Sequence, residues 1–462
     1  MSQVQCVSPV DGSVYAERPT AEDGAVDKAF EAAARAQKSW RDVPMSERAG
    51  YCSHAVDAML AMTDEIVPEL AWQMGRPVRF GAGELAGFEE RARHMIAIAE
   101  ASLADIVPEP KVGFTRYIKR DPLGVVFTIA PWNYPYLTAV NSIVPALMAG
   151  NSVMLKHASH TLLVAERFQR AFEAAGLPEG VFQHLVLSHN QTERVISSSL
   201  ADMVCFTGSV GGGRAMERAA AERFIPLGLE LGGKDPAYVR ADCDVGHAVE
   251  NVADGAFFNS GQSCCGIERV YVHQDVYEPF VEGFVELTKA HVLGSPLDEA
   301  TTLGPLVRSS AADFVRGQVD AAVRAGATAH LSRDDFPADS GEGAYLAPQV
   351  LTGVNHQMAV MTEETFGPVA GIMKVSGDDE AVGLMNDSDY GLTASIWTRD
   401  EAAAVEIGDR LETGTVFMNR CDYLDPALAW TGVKDTGRGC TLSQVGYEAL
   451  TRPKSYHLRT KI

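Results

Sequence analysis

Residues 150–187, GNSVMLKHASHTLLVAERFQRAFEAAGLPEGVFQHLVL, carry a strand, a helix and a second strand in their apolar pattern. The run 152–155 is of strand length, and after it Val164, Phe168, Ala171, Phe172 and Ala175 recur at spacings of three and four, one face of a helix. Gly176 and Pro178 stop that helix, and 181–187 is apolar again. Further apolar runs at 203–206 and 225–229 lie between helical stretches, the pattern of βα units and a largely parallel sheet. The fold class this predicts is α/β, with an open sheet suited to a nucleotide.

Outward from this unit, the N-terminal third reads as helical, over 26–40, 46–60 and 84–101. Val107-Pro108-Glu109-Pro110 breaks the pattern. Residues 113–119 and 124–129 then read as two extended runs about a turn at Asp121-Pro122, an arm reaching out of the domain. Residues 122–155 contain no charged side chain, but Pro131, Asn133, Pro135, Asn141, Pro145 and Asn151 would strand polar groups in lipid. Buried strand, loop, helix and strand is the expectation there. A second α/β pattern starts near Pro236, with strands at 237–239 and 270–272 and helices at 245–258 and 278–293; 333–342 reads as a surface loop. No internal repeat is visible.

The 462 residues suit two or three domains. Thirty-nine basic against 61 acidic residues give a net charge of -22, which repels polyphosphate and anionic lipid, so neither nucleic acid nor membrane is expected as a partner. Eight cysteines show neither zinc-ligand spacing nor a disulfide framework, which suits a reducing compartment and predicts no metal. The first twenty residues lack a basic and an apolar targeting region; a cytoplasmic location is the expectation.

Four clusters carry possible chemistry. In Gly261-Gln262-Ser263-Cys264-Cys265, between a helix and a strand, a cysteine can be a nucleophile, or both can be small buried apolar residues. Glu230, in Leu229-Glu230-Leu231-Gly232-Gly233-Lys234, ends an apolar strand where burial would raise its pKa toward general-base use; a salt bridge to Lys234 is the alternative. Asn133, in Pro131-Trp132-Asn133-Tyr134-Pro135, offers an amide to an oxyanion, or satisfies its own turn. Phe206-Thr207-Gly208-Ser209-Val210-Gly211-Gly212-Gly213 leads from strand to helix and could meet a pyrophosphate, or be an ordinary loop.

In this order and spacing the four clusters resemble the aldehyde dehydrogenase superfamily over nearly the whole chain. Glu363-Glu364-Thr365-Phe366-Gly367-Pro368 and the segments 386–391 and 414–419 resemble its further signatures. The resemblance implies an aldehyde dehydrogenase-like architecture: a Rossmann-type cofactor domain (1–102 and 125–232), an α/β catalytic domain (233–435) and a β bridging arm for oligomerisation (103–124 and 436–462). It implies Cys264 as nucleophile, Glu230 as general base and Asn133 as oxyanion amide. NAD or NADP would meet Trp132 and Lys156 along the adenosine, Gly208 and Ser209 at the pyrophosphate, Leu231 beside the nicotinamide, and Glu364 and Phe366 at its ribose. Phe258, Tyr134 and Asp422 would line the aldehyde tunnel, and 451–461 would add a strand to a neighbour's sheet in a homodimer or homotetramer.

Two positions depart from the family pattern. Ser159 stands where NAD-preferring members tend to carry a glutamate that repels a 2′-phosphate, which favours NADP. Cys440-Thr441 stands where many members have a glutamate suspected of relaying protons. The expected reaction is oxidation of a small aldehyde to a carboxylic acid through a thiohemiacetal and a thioester. Asp422 near the tunnel would suit a cationic aminoaldehyde. The Lys156-His157-Ala158-Ser159 segment instead resembles succinate-semialdehyde dehydrogenases, whose anionic substrate should want an arginine. A CoA-acylating dehydrogenase and a catalytically silent nucleotide-binding paralogue are the alternatives.

Overall fold

The computed structural model describes residues 2–462 and is built on two sheets whose ends meet. The first has six strands in the order Gly437–Arg438, Leu227–Glu230, Met203–Thr207, Val125–Ala130, Ser152–His157 and Phe182–His184, all parallel except the first. Every residue of Val125–Ala130 is buried, which is why this central strand reads as a continuous apolar run and not as an alternating one. Helices cover both faces: Phe30, Val195 and Met216 pack on one side, and Val140, Val144, Phe168 and Phe172 on the other.

The second sheet has seven strands in the order Thr328–Ala329, Gln349–Thr352, Val369–Val375, Ile267–His273, Asp235–Val239, Thr393–Trp397 and Thr415–Met418, with only the first antiparallel. The helices Val245–Phe257 and Tyr277–Lys289 lie on it, burying Val252, Phe257, Phe280 and Phe284. Glu230 ends a strand of the first sheet and Asp235 begins one of the second, so four residues connect them. The carboxyl ends of the six-stranded sheet therefore face the amino ends of the seven-stranded one, and the motif loops all emerge into that gap.

Several elements differ from expectation. The extended runs about Asp121-Pro122 do not pair with each other. Phe114–Pro122 pairs antiparallel with Thr451–Arg459 through nine registered positions, while Val125–Ala130 enters the six-stranded sheet. The C-terminal strand thus pairs on one edge within its own chain and keeps its other edge unpaired, while Ile106 bridges the outer edge of Phe114–Pro122 at Ile118. Gly437–Arg438, inside the segment expected to belong wholly to the arm, instead pairs with Leu227–Glu230. The helix Val78–Ser102 starts well before residue 84, because Gly81, which reads as a breaker, lets the helix approach Val67: a Cβ there would sit 2.7 Å from its Cγ1. The helix Thr63–Met74 and the hairpin Gln3–Val7 with Val14–Pro19 were not legible from periodicity. Among the described residues no helix is long and apolar enough to cross a membrane, and no cluster of three metal-ligating side chains occurs.

Candidate active site

Cys264 follows a turn in which Asn259 and Ser260 take left-handed φ of 54° and 55°, with Gly261 at 71°. Two successive non-glycine residues in that region cost about 1 to 2 kcal/mol each. They persist because side chains lock them: Asn259 Nδ2 donates to the carbonyls of Asn133 and Gln262, both at 3.2 Å, Ser260 Oγ donates to Gly304 O at 2.8 Å, and Gln262 Oε1 accepts from Val307 N at 2.8 Å. The turn presents two cysteines in different states. Cys264 is half-buried and borders a cavity of about 500 Å³. Cys265 is buried and donates to Asp422 Oδ1 at 2.8 Å, and its hydrogen bond with Cys264, together with burial, holds its pKa well above the ordinary thiol value.

Asn133, on the loop between Val125–Ala130 and Pro135–Met148, is held against this turn. Its Nδ2 donates to Gln262 O at 3.2 Å, leaving one N–H, and its own carbonyl accepts from Arg76 Nη2 at 2.6 Å. Arg76 is buried and ion-paired with buried Glu84, whose Oε1 accepts from the N–H groups of Tyr136 and Leu137 at 2.9 and 3.0 Å. Glu84 therefore caps the helix Pro135–Met148, where a carboxylate also meets the positive helix end. Neither residue was singled out from the sequence, although Glu84 and Arg91 lie seven apart on one helix, the spacing of a shared face. Arg76→Met is expected to cost about 3 to 5 kcal/mol by stranding the Glu84 charge, read as a lowered midpoint in thermal and urea unfolding.

Glu230 borders the same cavity as Cys264. Burial raises its pKa, opposed by hydrogen bonds from Thr441 Oγ1 to Oε1 at 2.6 Å and Thr207 Oγ1 to Oε2 at 3.0 Å. The alternative salt bridge to Lys234 is absent: Lys234 is buried against Glu268 and donates to Thr365 Oγ1 at 2.8 Å. Thr441, where the sequence lacks the family's second glutamate, thus touches the general-base candidate directly.

The cofactor candidates spread over two regions. Lys156 and Ser159 border a cavity of about 230 Å³ with His184, Ser188 and His189, which sequence reasoning missed. Burial lowers the Lys156 pKa, and Lys156 has no ion pair among the described residues. Trp132 stands edge-on to Phe366, ring centres 5.6 Å apart. Gly208 donates its N–H to Glu230 O at 3.0 Å, and Ser209 Oγ caps the helix Val210–Ala220 by accepting from Gly212 N at 3.2 Å. Glu364 Oε1 accepts from Gly233 N at 3.0 Å; burial pushes its pKa up to about 7. The neighbouring Gly232 is required for this approach, since a Cβ there would lie 2.3 Å from Glu364 Oε1. Leu231, Tyr134, Phe258 and Asp422 all border the cavity of Cys264 and Glu230. Asp422, at φ 47°, accepts from Cys265 and from Ser263 Oγ at 3.3 Å, and burial pushes its pKa up to about 6.

A thiol and a carboxylate on one cavity, with an asparagine amide bonded to the thiol's loop, match a known family. The aldehyde dehydrogenase family matches residues 1–456. The chain belongs to that family. Its relatives include a succinate-semialdehyde dehydrogenase [NADP(+)] of Mycobacterium avium (strain 104), 36% identical over 458 residues, covering 98% of this chain and 96% of the relative. A 3,6-anhydro-alpha-L-galactose dehydrogenase of Streptomyces coelicolor is 34% identical, covering 98% and 92%. Among solved structures, the NADP-dependent glyceraldehyde-3-phosphate dehydrogenase of Bacillus halodurans C-125, complexed with NADP, superimposes with a TM-score of 0.93 at 31% identity, covering 100% of this chain and 96% of that one.

Proposed function

We propose that this aldehyde dehydrogenase oxidises a small charged aldehyde to a carboxylic acid with NADP and water. The observation that carries this is the shared cavity of Cys264 and Glu230. Cys264 thiolate attacks the aldehyde carbon, and the free N–H of Asn133 with the Cys264 backbone N–H stabilises the resulting oxyanion. Nicotinamide, when bound, would supply the hydride acceptor; Leu231 would lie beside it and Glu364 and Phe366 would hold its ribose. Glu230 then takes a proton from water as that water attacks the thioester, and the carboxylic acid leaves as the Cys264 thiol returns. A base poised in the cavity favours water over CoA as acyl acceptor.

NADP is supported by Ser159 and by Lys156, a half-buried ammonium without an ion pair, and by relatives that are NADP-dependent by name. Ser159→Glu is expected to lower the kcat/KM ratio for NADP over NAD by about tenfold or more, since each tenfold is only about 1.4 kcal/mol of like-charge repulsion. The same reading divides the chain into a cofactor domain on the six-stranded sheet, a catalytic domain on the seven-stranded sheet and an oligomerisation arm formed by the ribbon, whose open edge along Thr451–Arg459 suits a second copy. The deciding experiment is reduced-nicotinamide formation by the purified protein with each cofactor, across acetaldehyde, succinic semialdehyde, 4-aminobutanal and an aromatic aldehyde. NADPH formation with a charged aldehyde supports the reading. No reduction with any aldehyde, with or without CoA, replaces it by the silent paralogue.

A further inference from the structure

Four carboxylates and one guanidinium border the aldehyde cavity, and their hydrogen-bond partners divide them sharply. Glu230 accepts from Thr207 and Thr441, Asp422 from Cys265 and Ser263, and Glu90 from Tyr423 Oη at 2.6 Å. Asp254 alone has no such donor, and burial moves it toward its neutral form. The acidic side of the cavity is thus largely occupied by the chain's own donors.

The donors of the cavity are not satisfied in this way. Arg91 is 8% exposed, and its Nη1 donates to Leu137 O at 2.9 Å and, at 3.4 Å, to Asn141 Oδ1. Its Nε and Nη2 make no hydrogen bond, and no carboxylate pairs with it among the described residues. Asn141 Nδ2 and Tyr134 Oη are buried without any partner. Glu84, Glu230 and Asp422 lie near enough to act on the charge of Arg91, but none forms an ion pair with it. Unused nitrogens on a buried guanidinium and two orphan donors on one cavity are costly unless an anion or water meets them. Water could meet the neutral pair, whereas a carboxylate would meet them and pair with the free nitrogens of Arg91 together.

We propose that Arg91, with Asn141 and Tyr134, receives the distal carboxylate of the substrate, which makes the substrate a carboxylate-bearing aldehyde and not an aminoaldehyde. This rests on the reading of Cys264 and Glu230 as aldehyde-oxidising residues. The reaction is then semialdehyde carboxylate plus NADP⁺ plus water to dicarboxylate plus NADPH plus two protons, with the hydride leaving the aldehyde carbon and water supplying the new oxygen. Asp422, which the sequence offers as a partner for a cation, instead orders Ser263 and Cys265 beside the nucleophile. An ammonium in the same place would face Arg91 and find one free carboxylate.

The test compares kcat/KM for succinic semialdehyde, butanal and 4-aminobutanal in the wild type, Arg91→Met, Arg91→Lys and Asn141→Ala. The wild type is expected to prefer succinic semialdehyde. Arg91→Met is expected to reduce the ratio of succinic semialdehyde to butanal by about thirtyfold or more, mainly through KM, as loss of one partner of a buried charge pair does. Arg91→Lys recovers part of that ratio, and Asn141→Ala lowers it by a smaller factor and reports on the site even where Arg91→Met fails to fold. Loss of both rates in parallel, with the ratio unchanged, would make Arg91 a structural or Glu230-directed residue and overturn the proposal, as would preference for butanal or 4-aminobutanal. If no aldehyde is oxidised, the parent reading fails instead; calorimetric binding of succinate to the NADP-bound protein then decides the anion site separately, supported if Arg91→Met abolishes it and overturned if the wild type binds none.

Discussion

Cys264→Ala is expected to bind NADP as the wild type does and to form no NADPH from any aldehyde, a loss on the order of 10⁴ to 10⁶ in rate, the range seen when a nucleophile is removed from a concerted site. The argument is one of access and protonation. Cys264 borders the cavity with Glu230, whereas Cys265 is buried, donates its proton to Asp422 and has its pKa held up by Cys264 and by burial. The thiolate is the nucleophile, so a thiol kept protonated inside the fold is inert. Cys265→Ala removes one donor from Asp422 and leaves Ser263, so its cost to kcat is expected to stay under about tenfold, within the range for a lost hydrogen bond of about 1 kcal/mol. Single-turnover NADPH formation with both variants checks this. A Cys265→Ala enzyme without turnover beside an active Cys264→Ala enzyme would exchange the two roles.

The legible parts of this chain are those where one local rule acts alone. The βαβ unit at 150–187 was readable because a fully buried parallel strand gives an uninterrupted apolar run and the helix keeps its spacing of three and four. The nucleophile, base and amide candidates were readable because each sits in a short motif beside glycine or proline. Arg76, Glu84 and Arg91 were not, since a charged residue in a loop or an amphipathic helix looks solvated until the partner helix Pro135–Met148 is docked against it. The same holds for the ribbon: Phe114–Pro122 and Thr451–Arg459 are more than three hundred residues apart, and no local pattern says which strand either will meet. The substrate pole fails for a related reason. Asp422 is visible in sequence as a negative charge near a tunnel, but its meaning depends on Cys265 and Ser263 already engaging it, while Arg91 comes from a helix 331 positions upstream and keeps two nitrogens without a hydrogen bond.

Glu230→Gln separates hydride transfer from hydrolysis. The variant is expected to release about one equivalent of NADPH per site in a burst and then to turn over about 10² to 10⁴ times more slowly, the usual worth of a positioned general base. Glutamine keeps the side chain's size, its Oε1 can accept from one of Thr207 and Thr441 and its Nε2 can donate to the other hydroxyl, so the cavity and the Cys264 loop stay in place while water loses its base. The pH profile gives an independent readout. Burial lifts the Glu230 pKa above the ordinary carboxyl value, and the base works only when ionised, so wild-type turnover falls as pH drops through that raised value. In Glu230→Gln this limb disappears from the slow steady-state rate, while the burst keeps whatever pH dependence Cys264 imposes. If CoA rather than water is the acyl acceptor, the result differs in kind: turnover of Glu230→Gln in the presence of CoA matches the wild type, and thioester accumulates in solution instead of the acid.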